Sequence, residues 1–163
     1  MKSASEWIND LQLAPHTEGG YFRQVEKSRQ KVTGENGERS LYTSIHFLLT
    51  ESSPSHFHRL KADEIWYFHA GAPLLVHCIF PDGRYQKVAL GTAIAEGQQL
   101  SYCVPKGTIF GSSVARDYAL VSCLVTPGFE DADFQLFTQA ELLADYPQHE
   151  KIIQALAYES LPK

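Results

Sequence analysis

The stretch His56-Phe57-His58, followed by Asp63-Glu64 and then Gly71, holds the residue types and spacing that can do chemistry. Side chains alternate along an extended strand, so two histidines one residue apart project from the same face. Ser53-Pro54 precedes them and favours extended backbone, which places the start of a strand about there. With a carboxylate arriving from the next strand, two chemistries are open. One is a metal centre of His56, His58 and Glu64; the other is a metal-free acid/base pocket made of the same three residues. On an edge strand both histidines would be solvated instead, but a His-x-His pair next to acids and aromatics favours a site.

Glu64 opens the run Glu64-Ile65-Trp66-Tyr67-Phe68-His69, in which Glu64, Trp66 and Phe68 share one face. A carboxylate aligned with aromatic rings is half desolvated, and its pKa rises unless an imidazolium or a metal holds it ionised. Trp66 is a candidate ligand contact, although core packing is the plainer expectation for Trp66 and Phe68. A second cluster, His16-Thr17-Glu18-Gly19-Gly20-Tyr21-Phe22-Arg23, has two glycines before alternating aromatics, a sign of a bulge or close backbone approach where a strand begins. It supplies His16, Glu18, Tyr21 and Arg23 as candidate ligand contacts. Glu18 and Arg23 read equally as a surface ion pair of little worth or as a carboxylate and a guanidinium at a pocket mouth. The third cluster, Pro105-Lys106-Gly107-Thr108-Ile109-Phe110, is a tight turn that returns residue 110 over the sheet; Phe110 can line a pocket but cannot ligate a metal.

The elements that must position these residues are mostly strands. Leu41 to Leu49, Glu64 to Phe68, Leu74 to Phe80, Tyr85 to Leu90, Gln99 to Val104 and Tyr118 to Val125 are short and rich in Val, Ile, Leu, Tyr and Phe, with turn residues between most of them. That pattern predicts a β-sandwich or barrel. Pro81-Asp82-Gly83 predicts a hairpin, and Gln30 to Arg39, with Gly34 and Gly37, predicts an exposed loop or hairpin tip. Helices are expected only at the ends. Ser3-x-x-Glu6 is a capping box before Trp7, Ile8 and Leu11; Thr138-x-x-Glu141 is another before Leu142 and Leu143; Pro147 ends that helix and begins the next, with Ile152, Ile153 and Leu156 on its apolar face.

The 163 residues suit one domain, residues 1–163, with a barrel core about 16–137 and a helical extension about 138–163. Apolar residues at 44% and charged residues at 20% exclude a disordered chain. The net charge is −5 and no Lys or Arg stripe exists, so nucleic acid is not an expected partner. No apolar run approaches a membrane span. The N-terminus lacks the apolar core of a signal peptide, and Cys78, Cys103 and Cys123 form no Cys-x-x-Cys pair; both predict a cytoplasmic protein with reduced, mostly buried thiols.

These clusters resemble the two motifs of the cupin superfamily. In the first, His56-x-His58 and Glu64-x6-Gly71 match, while Thr50 replaces the leading glycine and five residues rather than four separate His58 from the acid. A four-residue gap would land on Asp63; the spacing to Gly71 favours Glu64. In the second, Gly97 and Pro105-x-Gly107 match, but the metal-binding histidine falls on Phe110 and the asparagine on Val114. The segments HTEGGYFRQ, SHFHRLKADEIWYFHAG, VPKGTIFG and TPGFEDADF are similar to the Cupin_5-type family of small proteins. The resemblance implies an all-β jelly-roll barrel, a double-stranded β-helix, and a homodimer. Its relatives by fold include seed-storage proteins and metal-free nucleotide-sugar epimerases, so it implies no settled reaction.

Three functions are expected in order. The first is a binder of a small polar metabolite, a sugar or sugar nucleotide, with epimerase- or isomerase-like chemistry and no obligatory metal. His56 or His58 would be the base, Glu64 or Asp63 its orienting acid, and Tyr102 or Tyr21 the proton donor. The second is a metal-dependent enzyme holding iron, manganese, zinc or nickel on His56, His58 and Glu64. The third is a non-catalytic, storage-like dimer.

Overall fold

The computed structural model describes residues Met1–Lys163. Helix α1 (Ala4–Leu11) opens on the expected capping box, with the Ser3 hydroxyl accepting from the Glu6 N–H and the Glu6 carboxylate accepting from the Ser3 N–H. It stops at Gln12, in the left-handed region at φ 55°. Strands β1 (Ala14–Pro15), β2 (Tyr21–Lys27), β3 (Lys31–Gly34), β4 (Gly37–Ser40), β5 (Thr43–Thr50) and β6 (Ser55–Leu60) follow. After them come β7 (Asp63–Gly71), β8 (Leu74–Ile79), β9 (Tyr85–Leu90), β10 (Ser101–Val104), β11 (Ile109–Val114), β12 (Tyr118–Thr126) and β13 (Phe134–Leu136). Two short helices, α2 (Gln139–Asp145) and α3 (Glu150–Leu156), end the chain.

The strands form two antiparallel sheets, in the orders β1-β2-β5-β12-β7-β10 and β13-β6-β11-β8-β9, plus the small β3–β4 hairpin. Strands distant in sequence are neighbours: β5 pairs with β12, and β6 with β11. This nested pairing is a jelly roll. The inward faces of the sheets meet in one core that includes Phe47, Trp66, Val76, Phe110 and Val121. Alternation sends Phe57, Ile79 and Ile109 to the opposite face of the second sheet, where Leu142, Ile153 and Leu156 of the C-terminal helices cover them. Helix α1 covers one end of the outer face of the first sheet, with Trp7, Ile8 and Leu11 packed against Leu48 and Leu120.

The hairpin expected at Pro81-Asp82-Gly83 joins β8 to β9, with Gly83 at φ +85° and Ile79 opposite Tyr85. The capping box at Thr138 is present, and Pro147 begins a single 3-10 turn that leads into α3. Gln30 to Arg39 falls in the β3–β4 hairpin, which is tied down by the Arg39 fork, with two bonds of 2.8 Å to Asp133. Strand β11 has no counterpart among the runs picked out by composition. Its Gly-Ser-Ser centre lacks apolar alternation, because Gly111 passes so close to β6 that a Cβ there would lie 2.6 Å from the Ser55 carbonyl oxygen. No helix is long and apolar enough to cross a membrane.

We propose that barrel and C-terminal helices unfold as one unit, because Phe57, Ile79 and Ile109 lose their cover without α2 and α3. Ile153→Ala is expected to destabilise the whole chain by about 2–4 kcal/mol. Urea unfolding followed by circular dichroism and by tryptophan fluorescence should give one coincident transition. Early loss of helix alone would separate the two parts.

Candidate functional site

A cavity of about 300 Å³ opens at one end of the barrel. His58 stands on its second-sheet wall. The alternation of β6 turns Phe57 out to the helices and His58 inward, where it is buried. Its ring packs on Phe110, 4.2 Å away on the neighbouring strand β11, and on Phe134 of β13 at 5.4 Å. Glu64 stands on the facing wall: β7 lies between β12 and β10, with Glu64 opposite Val125 on one side and Val104 on the other. Asp63, one residue earlier, points out to solvent and accepts from the Lys106 N–H at 2.8 Å, so the inward carboxylate is Glu64.

The second carboxylate comes from the loop before β2. Glu18 is buried, and its Oε2 lies 3.1 Å from His58 Nε2. The loop is held tightly. The Glu18 carbonyl accepts from the His56 N–H at 2.7 Å and from His56 Nδ1 at 2.8 Å. The Gly20 N–H donates to Ser53 Oγ, and Tyr158 Oη donates to the Thr17 carbonyl at 2.9 Å. The two glycines make this close approach feasible: Gly19 has φ +106°, and a Cβ there would sit 1.8 Å from the Pro54 carbonyl oxygen.

The protons of the site can be placed from these contacts. His58 Nδ1 lies 2.7 Å from the His56 carbonyl, which only accepts, so Nδ1 carries a hydrogen. Nε2 therefore faces Glu18 as an acceptor when the ring is neutral. Burial drives His58 down to about 3. Burial, then the nearby Glu64, drives the Glu18 carboxyl well above its usual range. Both shifts favour a neutral pair in which the Glu18 carboxylic acid donates to His58 Nε2, not an ion pair. Burial also raises Glu64 to about 7, partly offset by the Trp66 indole N–H. Glu64 Oε2 and Trp66 Nε1 nonetheless each lack a hydrogen-bond partner. His16 lines the same space; its Nδ1 accepts from the Glu18 N–H, and burial lowers it to about 4 against the pull of Asp131.

Of the residues singled out by sequence, the cavity brings together His16, Glu18, His58 and Glu64. The others stand elsewhere. His56 shares a strand face with His58 but lies beyond the cavity, its ring stacked 3.7 Å from Tyr158; it clamps the Glu18 loop. Trp66 is fully buried core, and Phe110 is the packing partner of His58. Tyr21 packs toward α1, in the cluster of Leu13, Leu48 and Tyr118. Arg23 is exposed and bonds Gln12 Oε1 at 2.9 Å, so it makes no pair with buried Glu18. Tyr102 lies outside the cavity lining, and burial, then Cys78, pushes its phenol up to about 12. Spacing did not point to Phe129, Glu130 and Asp131 of the lining, although the motif TPGFEDADF contains them. Tyr158 carried no signal at all.

The donor set does not fit a metal ion. His58 Nε2 is engaged by Glu18, His56 lies outside the cavity with its ring stacked on Tyr158, and Phe110 stands where a further imidazole would be needed. No group of three His, Cys, Asp or Glu side chains converges in a metal-holding arrangement.

A jelly roll with a closed inner core and a polar cavity at one end of its barrel defines a cupin. The chain belongs to the Cupin_5 family, described as Cupin superfamily (DUF985), whose model matches residues 5–137. It is similar to a hypothetical protein from Leishmania major, with 48% identity and a TM-score of 0.94 over 97% of this chain and all of that one. It is also similar to protein SO0799 from Shewanella oneidensis, at 44% identity and TM-score 0.92 over 98% of this chain and all of that one. The uncharacterized protein YML079W of Saccharomyces cerevisiae is 30% identical over 148 residues, 80% of this chain and 73% of the yeast protein.

The raised Glu64 carboxyl has a stability signature. Its contribution is fully present below the ordinary value of 4.5 and is lost as pH rises through about 7, since ionising it costs more in the folded state. Glu64→Gln removes that loss. The variant's advantage over the wild type should grow between pH 4.5 and 7 and level off above, on the order of 3 kcal/mol. Urea titrations across this range check it. His16 and His58, both lowered, weaken the two proteins equally at acid pH. A difference that does not change with pH would contradict the burial of an unpartnered Glu64.

Proposed function

We propose that this chain binds a small polar metabolite of monosaccharide size and moves a proton on it, in an isomerase- or epimerase-like reaction that uses protein acid/base groups alone. One observation carries the reading. The Glu18–His58 pair, holding one proton, and Glu64, titrating near neutrality, face the same 300 Å³ space from different elements. Carboxyl groups whose environments separate their proton affinities are suited to opposite roles.

In this scheme Glu64 takes the C–H proton next to a ligand carbonyl, and the proton held by the Glu18–His58 pair goes to the developing enolate oxygen. The product is a neutral enediol and a protonated Glu64. Return of the Glu64 proton to the neighbouring carbon of the enediol, and of the other hydroxyl's proton to the pair, completes an isomerisation; an epimerisation needs in addition that the enediol turn its other face to Glu64. His58 is a positioning residue for Glu18, because both of its nitrogens are already engaged. Hydrogen exchange into a panel of aldoses and ketoses in D2O, followed by proton NMR, tests the scheme. Glu64→Gln and Glu18→Gln should each slow exchange by about 100-fold or more. No exchange with any sugar, and no ligand-induced rise in melting temperature, would count against it.

We further propose that the protein is a homodimer joined through the outer face of the six-stranded sheet. Helix α1 covers only one end of that face. At the other end Tyr67 is exposed, beside the half-buried pair Ile65 and Leu124. Light scattering should give twice the 18.3 kDa chain mass, and Tyr67→Glu with Leu124→Glu should halve it. A monomeric wild type would refute the pairing.

A further inference from the structure

The two imidazoles of the cavity lining, His16 and His58, are in different states. His58 has no donor to offer a ligand, because its Nδ1–H is committed to the His56 carbonyl and its Nε2 faces Glu18. Glu64 Oε2 and the Trp66 indole N–H are sealed from the cavity as well, buried and without partners. His16 is only half-buried. The Glu18 N–H reaches its Nδ1 at 3.1 Å, and a backbone N–H can only donate, so Nδ1 carries the lone pair. The hydrogen of the neutral ring therefore sits on Nε2. No protein group accepts it, and Nε2 is not among the sealed atoms of the chain, so this N–H opens on the cavity.

Neighbouring rings fix where the donor points. Phe22 meets His16 edge-on at 4.5 Å, Phe134 does so at 5.8 Å, and Phe47 lies 6.1 Å away. His16 is also near enough to His58 for a charge on it to depress that ring. Burial, against the pull of Asp131, lowers His16 to about 4, so the ring is neutral near pH 7. A neutral imidazole N–H donates a hydrogen bond without giving up its proton. Held in place before the ligand arrives, such a donor stabilises negative charge that develops on a carbonyl oxygen during reaction.

We propose that His16 is a catalytic residue of this cavity, its Nε2–H donating to the carbonyl oxygen of a bound α-hydroxy aldehyde or ketone while the neighbouring C–H proton leaves. The inference rests on the acid/base reading of the cavity and adds to it the group that recognises the carbonyl. The oxygen has two lone pairs: one takes the proton of the Glu18–His58 pair, and the other accepts the His16 N–H, whose hydrogen stays on nitrogen throughout. Glu18 then serves twice. Its carboxyl group holds the transferable proton, and its backbone N–H sets the His16 tautomer.

Two substitutions separate catalysis from support of the loop. His16→Asn leaves a carbonyl oxygen near the Nδ1 position, which keeps the Glu18 N–H bonded, but removes the cavity donor. His16→Gln places an amide N–H near the Nε2 position and gives up the loop bond. The probes are dihydroxyacetone and D-erythrulose, ketoses too short to close a stable ring, labelled with carbon-13 at the carbonyl. On binding the wild type their carbonyl stretch should fall below its frequency in water, and their C–H groups should exchange with D2O. His16→Asn should lose the infrared shift and slow exchange by about 100-fold in kcat with KM little changed, while His16→Gln keeps the shift and exchanges faster than His16→Asn. Nitrogen-15 NMR of the free protein at pH 7 should show His16 protonated on Nε2. If His16→Gln exchanges no faster than His16→Asn, or the His16 proton sits on Nδ1, the assignment fails while the acid/base reading stands. Neither exchange nor a carbonyl shift in the wild type with either ketose would overturn that reading and this inference with it.

Discussion

A carboxyl group and an imidazole buried side by side can share one proton without either being charged, and Glu18 and His58 sit 3.1 Å apart in that state. The rest of the site depends on this bond. Removing either partner would leave the other with a buried polar group and nothing to bond, a cost on the order of 1–3 kcal/mol. The bond also fixes the His58 ring, whose Nδ1–H is already committed to the His56 carbonyl. Phe110 and Phe134 then pack against a ring that cannot turn, and this packed wall limits the cavity on one side.

The chain supports that bond from several distant places. The loop carrying Glu18 is tied to His56, to Ser53 and to Tyr158, residues from β6, the turn before it and the segment after α3. The C-terminal helices thus do more than cover Phe57, Ile79 and Ile109. They place Tyr158, which stacks on His56 and holds the Thr17 carbonyl. Glycines at 19 and 20 let the loop approach the neighbouring strands closely; any larger residue at 19 would push the loop, and Glu18 with it, away from His58.

Opposite this neutral pair, Glu64 is buried with an unbonded oxygen, and the environment that raises its pKa is also what makes it useful. A carboxylate in water is a weak base; one titrating near neutrality can both accept and return a proton at physiological pH. The free energy for such a group comes from the surrounding fold, where Phe47, Trp66, Phe110 and the facing strands form a continuous packed core. Stability is given up locally at Glu64 and supplied by the barrel around it.

Much of this was legible in the residues alone. Alternation and turn chemistry identified most of the barrel strands, both capping boxes and the β8–β9 hairpin, because these depend on neighbours a few residues apart. Period two also put His56 and His58 on one face of their strand, and the motif spacing to Gly71 favoured Glu64 over Asp63; the structure turns that face inward and Glu64 with it. What alternation could not say is how deep along a shared face each side chain falls. His56 and His58 point the same way, yet one meets the cavity and the other meets Tyr158, which lies about a hundred residues later in the chain. Arg23 was as near to Glu18 in sequence as His58 was far, and only the crossing of β6 past the β2 loop decided which of them Glu18 would bond. The sequence by itself determined the barrel, its helical ends and the residue types available for chemistry, since local backbone preferences and hydrophobic period are short-range. Only the tertiary structure decided which of those residues share a proton and which serve as clamps, because burial and pKa depend on everything packed around a group.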